Sequence, residues 1–198
     1  MEVQNNRKKQ AMETKQTIFQ CAVELFAQNS YEKVTVGDIC RYAKVSVGAF
    51  YHHFKNKENI LNEGYRLFDS QLEANWEEGH PDGELEALHF LVDDQMKCME
   101  QMGALAASQY FKNQLSNEIK YILDKERFFY RTIYETVEKG VEAGRLFGDC
   151  RVITEDILST CRGIIYDWCL HEGDYSLAQK GKRLLDMVLY YYGRKPGY

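Results

Sequence analysis

An all-α fold is what this sequence predicts, on three grounds. Only two prolines, Pro81 and Pro196, occur in 198 residues; strong helix formers such as Leu, Ala, Glu, Lys and Gln are abundant; and apolar residues recur at helical spacing along most of the chain. The length accommodates either one well-buried core or a small domain docked on a larger one. Charge favours the second arrangement. Residues 1–60 carry nine Lys/Arg against six Asp/Glu, net +3, and the remainder carries 16 against 24, net −8. A basic N-terminal unit on an acidic body suits a module that meets phosphate at one end and keeps the rest of the molecule off it.

The elements follow in order. Residues 1–13 are polar, include Arg7, Lys8 and Lys9, and read as a mobile basic arm. From Thr14, Ile18, Cys21, Ala22, Leu25 and Phe26 fall on one helical stripe that ends near Asn29. Thr35 with Asp38 three residues later is a capping-box-like start for a second helix over 36–43. Lys44, Val45 and Ser46 leave room only for a tight turn, and Ser46 is placed to cap a third helix over 47–54. Phe50 and Phe54, one turn apart, can lock that helix inward, which leaves Val47, Gly48, Ala49, Tyr51, His52 and His53 on or beside the other side. A long helix follows Lys57 and stops at the Gly79–Gly83 stretch around Pro81. Further helices are expected over 85–102, 105–115, 117–143, 154–171 and 177–192, divided by Gly103, Gly144/Gly148 and Gly173/Asp174. The natural division is a basic helix-turn-helix unit over 1–56 and a larger body over 57–198.

Over residues 14–62 this pattern, with Thr35 opening the second helix and the run from Val45 through Phe50, Tyr51, His52, His53 and Phe54 to Lys57 and Glu58, closely resembles the TetR/AcrR repressor signature. The resemblance implies a helix-turn-helix head, a helical effector-binding and dimerising body, and a homodimer that holds palindromic operator DNA until a small-molecule inducer releases it. It puts Val47, Gly48 and Ala49 at base-reading positions and Ser46 at the capped start of the recognition helix. Tyr51 and His53 fall at backbone or thymine-edge positions, beside His52. Thr35 and Lys57 match phosphate contacts. Positions 47–49 hold no Arg, Asn or Gln able to make bidentate base contacts, so specificity is expected to lean on Tyr51 or His52, methyl contacts and DNA shape.

In the body, Met96, Met99, Met102, Tyr110, Phe128 and Phe129 are a supply of adaptable apolar side chains, suited to an effector cavity or equally to plain core. Two broad stripes, Ile157, Cys161, Ile164, Ile165 and Trp168, then Leu185, Val188, Leu189 and Tyr192, are wide enough for a four-helix interface with a second copy. Burial within one chain is the alternative.

Competing functions are few. Glu86 and His89 form a single E-x-x-H match, where a di-iron bundle needs two, and no other catalytic motif accompanies it, so no enzyme is expected. His52 and His53 are adjacent instead of four apart, and no C-x-x-C pair occurs among six cysteines, so neither metal nor cofactor is expected. Cys150, in an expected loop, is the one thiol placed for redox sensing, although nothing in the sequence lowers its pKa. With no apolar signal core and no stretch near the ~18 apolar residues that cross a bilayer, the cytoplasm is the expected compartment. An activator, or a DNA-binding protein without an effector, fits the same sequence.

Overall fold

The computed structural model describes residues 2–29, 31–116, 118 and 120–194, with side chains from Gln10 onward. Its helices are α1 (Glu2–Gln28), α2 (Val36–Tyr42), α3 (Val47–His53), α4 (Lys57–Glu78), α5 (Glu84–Met102), α6 (Ala104–Ser116), α7 (Phe128–Glu142), α8 (Cys150–Leu170) and α9 (Leu177–Tyr192). Single 3₁₀ turns lie at Tyr31–Lys33 and Tyr121–Leu123, and no strand occurs among the described residues. The all-α expectation holds.

In the head, α1 lays Ile18, Ala22 and Phe26 against Ile39 of α2 and Phe50 and Phe54 around α3, all buried to within about a percent. Helix α1 starts well before Thr14, so the backbone expected as a basic arm is helical; the side chains of Arg7, Lys8 and Lys9 lie outside the described residues. The same helix continues past the head and lies against α4 and α6.

In the body, α5 is the central strut, in contact with α4, α6, α7 and α9, and α8 packs between α7 and α9. Two expected elements change. The helix expected over 117–143 is instead a 3₁₀ turn followed by α7, which starts at Phe128. Side chains take over the backbone between them: Gln114 Oε1 accepts from Ile122 N at 3.0 Å, and Asp124 Oδ1 accepts from Glu126 N at 2.9 Å. The helix expected from Thr154 begins at Cys150, because Asp149 caps it by accepting from the N–H groups of Arg151 and Val152. The far ends of α8 and α9 are tied by Asp167, which accepts from both Tyr175 Oη and Lys180 Nζ; these hydrogen bonds hold its carboxyl below the usual carboxylate range.

Between α4 and α6 a side chain occupies the place of a missing one. A Cβ built on Gly64 would stand 1.3 Å from Tyr110 Oη and 2.9 Å from Phe19, so α4 fits only because position 64 has no side chain. Tyr110 is 4 % exposed and stacks edge-on against Tyr65, with ring centroids 5.1 Å apart. In an open helix Gly→Ala would gain about 1 kcal/mol of propensity. At Gly64 overpacking is expected to reverse the sign, giving a net loss of roughly 1–3 kcal/mol. Urea unfolding of Gly64→Ala measures it, and a midpoint equal to or above the wild type would show that the contact is soft.

Candidate nucleic-acid interface

The interface is built by the caps of two short helices. Thr35 Oγ1 accepts from Asp38 N at 3.1 Å and donates to Asp38 Oδ2 at 2.6 Å, while the same carboxylate accepts from Thr35 N, a complete capping box. Those hydrogen bonds hold the Asp38 carboxyl below its ordinary range. After α2 the chain turns through Lys44 in the left-handed region (φ 55°), with Val45 N donating to Cys40 O and Lys44 N to Arg41 O, a Schellman closure on a non-glycine residue. Ser46 then caps α3 by accepting from Ala49 N at 3.0 Å. The helix-turn-helix is therefore specified locally, from Thr35 to Ser46.

Along α3, Phe50 and the capping Phe54 point inward, and the opposite side is bare. Val47 is 50 % exposed and Tyr51 56 %, and Ser46, Gly48 and His52 are also exposed, with Ala49 and His53 half-buried beside them. Thr35 is exposed at the start of α2. Two apolar side chains this uncovered, next to two histidines, form a contact surface without a partner in the chain. Burial, with the charges of His52 and Lys15, keeps the His53 imidazole below its ordinary pKa.

Lys57 sits differently from its expected place on phosphate. Its ammonium donates to the carbonyls of Tyr31 at 2.6 Å and Val34 at 2.9 Å and lies 3.9 Å from the Tyr31 ring centroid, and this burial lowers its pKa. The lysine clamps the α1–α2 loop to the first residue of α4. Nothing in the local sequence around position 57 signals carbonyls 23 and 26 residues upstream.

The body residues also need correction. Met96, Met99, Tyr110 and Phe129 are buried, and Phe128 packs against the same core, so in this structure they fill the interior and do not line an open cavity. Met102 borders a cleft of about 190 Å³ between α1, α4 and α5. Of the stripes expected to meet a second copy, Ile157, Cys161, Ile164, Ile165, Trp168, Leu185, Leu189 and Tyr192 are buried within the single chain, and Val188 is half-buried. Each stripe is consumed by the chain's own core. The uncovered apolar residues of α8 and α9 lie on other faces: Val152, Tyr166 and Leu170 on one, Met187, Tyr190 and Tyr191 on the other. Gly163 falls in helical register with Tyr166 and Leu170, and a Cβ there would meet nothing within 4 Å. That second, weaker periodicity was the signal available in the sequence.

The remaining candidates are quiet. His89 Nε2 faces Asp186 Oδ1 at 3.0 Å, and no group of three or more His, Cys, Asp or Glu side chains placed to hold a metal occurs among the described residues. The six cysteines are unpaired, and the Cys150 thiol is pushed up by burial and then by Glu138, opposite to what activation requires.

Residues 18–63 match the family described as bacterial regulatory proteins, tetR family. Along nearly the whole chain the protein is similar to the probable acrEF/envCD operon repressor of Escherichia coli K12, at 28 % identity over 92 % of this chain and 88 % of that one. Residues 18–63 thus carry the DNA-binding domain of the tetR family, and the chain as a whole is similar to regulators built on it. Its fold is that of the fatty acid degradation regulator FadR from Bacillus halodurans, with a TM-score of 0.63 at 21 % identity over 88 % and 97 % of the two chains. FadR from Bacillus subtilis, solved with stearoyl-CoA, gives 0.61 at 20 % over the same shares. These similarities make the protein a DNA-binding transcriptional regulator and not an enzyme. No helix among the described residues is long and apolar enough to cross a membrane.

The Lys57 clamp carries a test. Lys57→Met keeps the aliphatic stem and removes two charge-assisted hydrogen bonds, so the protein should lose roughly 2–4 kcal/mol of stability by urea unfolding. An unchanged midpoint would return Lys57 to the role of a free surface cation.

Proposed function

We propose that this TetR-family protein is a homodimeric repressor that reads an inverted-repeat operator through α3 and is released by a small-molecule effector bound in its body. The observation that carries the reading is the uncovered face of α3, with Val47, Tyr51 and His52 exposed at the end of a net-basic segment while the body is acidic. In this reading Val47, Gly48 and Ala49 approach base edges, and Tyr51, His52, His53, Thr35 and Ser46 meet the backbone or thymine edges. The division into a head over 1–56 and a body over 57–198 goes with it.

Pairing supplies the second half-site. The uncovered side of α8 and α9, with Gly163, Tyr166, Leu170, Met187 and Tyr191, is the surface offered to a second copy, and a groove of about 530 Å³ between Asp156, Ser159, Met187 and Tyr191 gives it relief. The effector reading is supported by two buried polar atoms one turn apart on α6, Tyr110 Oη and Gln114 Nε2, which have no hydrogen-bond partner. Tyr110 Oη lies beside Gly64 of α4, the helix that leads out of the head, and a ligand that supplies acceptors to these donors gains what the free protein lacks.

Selection of bound duplexes from a random pool should return an inverted repeat with half-sites one helical turn, about 34–36 Å, apart. Because a side chain at Gly163 disturbs nothing within the chain, Gly163→Arg should remain folded yet run as a monomer and lose at least roughly tenfold in operator affinity. A folded Gly163→Arg dimer with full affinity would exclude this face. Release is then sought with a panel that includes acyl thioesters and sterols, since similar proteins are named for fatty acid and ketosteroid regulation.

Protonation gives a further check. Free His53 resists its proton, so folding stability should fall as pH drops below the histidine range, while phosphate nearby favours the imidazolium. Operator affinity should therefore rise from pH 8 to pH 5.5 as stability declines, and His53→Gln should flatten the affinity profile; parallel decline of both in the wild type would remove His53 from the interface.

A further inference from the structure

We propose that a groove between α7 and the first turn of α8, outside the head and the body core, binds a nucleoside phosphate. The groove encloses about 440 Å³ between Lys125, Tyr130, Arg131, Tyr134, Glu135 and Arg151. Tyr130 and Tyr134 stand one turn apart on α7, so both rings belong to one wall. Three cations surround them on a body whose net charge is −8.

Two of those three cations are free in the sense that matters for an anion. Arg131 and Arg151 are exposed, and neither has an ion-pair partner among the described residues; Arg127, Arg162 and Lys180 in the same body are all paired. Lys125 Nζ reaches Glu155 only at 4.0 Å and lies 5.6 Å from the Tyr130 ring centroid. The one carboxylate in the lining is that of Glu135. The positive character is that of side chains, since the first amides of α8 are already taken by Asp149. Arg151 also sits one residue, about 100° of helix, from the exposed Val152, so it faces away from that side of α8.

Chemistry narrows the ligand. An inorganic anion would use the cations and leave the tyrosines idle, and an uncharged aromatic would do the reverse. A nucleoside phosphate uses both, with the base against a ring face and the phosphates between guanidinium forks.

Calorimetric titration of the full-length protein at low salt, with ADP, pyrophosphate and adenosine as separate probes, tests this. ADP should bind at least tenfold more tightly than either fragment. The Arg131→Gln/Arg151→Gln double variant, which removes two exposed and unpaired side chains, should keep its thermal unfolding curve and weaken ADP and pyrophosphate at least tenfold; Tyr134→Leu should reduce ADP to the level of pyrophosphate. The proposal is overturned if ADP does not bind, if it binds no better than pyrophosphate, or if the double variant binds it as the wild type does. Operator binding is read separately, so failure here leaves the repressor reading untouched.

Discussion

Head and body share one helix, and the missing side chain at Gly64 decides where that helix can lie. At its first residue Lys57 gathers the carbonyls of Tyr31 and Val34, which fixes the loop on which α2 stands. Seven residues on, about 10 Å along the axis, the backbone of α4 rests on Tyr110. Further along, Asp69 accepts from both Arg127 Nε and Nη2 at 2.7 Å, a bidentate pair with each side chain under 15 % exposed. Three contacts thus hold α4 along its length, one to the loop of the head and two to the body.

That arrangement explains which parts of the molecule could be read from residues alone. The caps at Thr35 and Ser46, the Lys44 turn and the inward Phe50/Phe54 pair involve neighbours three to five positions apart, so the head was legible from local spacing. Lys57 was not, because its partners are distant in sequence and a lysine at a helix start looks the same whether it faces carbonyls or solvent. The start of α8 hid behind Gly148, which reads as loop until Asp149 is seen to cap the helix. Among 117–143 the helical pattern was real, but Gln114 and Asp124 offered the backbone better partners than another turn would have.

The body stripes show a different limit. Ile157, Cys161, Ile164 and Trp168 form the strongest periodicity in α8, and the strongest stripe is the one a helix turns into its own chain. The surface proposed for a second copy is assembled from what is left: tyrosines, a methionine, an isolated leucine and a glycine, each unremarkable alone and continuous only once the helix is drawn. Tyr166, Tyr190 and Tyr191 suit that role because an amphipathic ring tolerates water before assembly and contributes area after it.

The interior near α4 has a cost that bears on regulation. Tyr110 Oη and Gln114 Nε2 are buried without partners, and each such group disfavours the folded state by about 1–3 kcal/mol relative to a satisfied one. Tyr110 Oη is the atom that fills the space beside Gly64, so the packing that fixes α4 also leaves that hydroxyl unsatisfied. A state in which α6 moves off α4 would relieve the hydroxyl and lose the ring contact, terms of opposite sign, and a ligand shifts a protein between two such arrangements only by the difference in its binding to each.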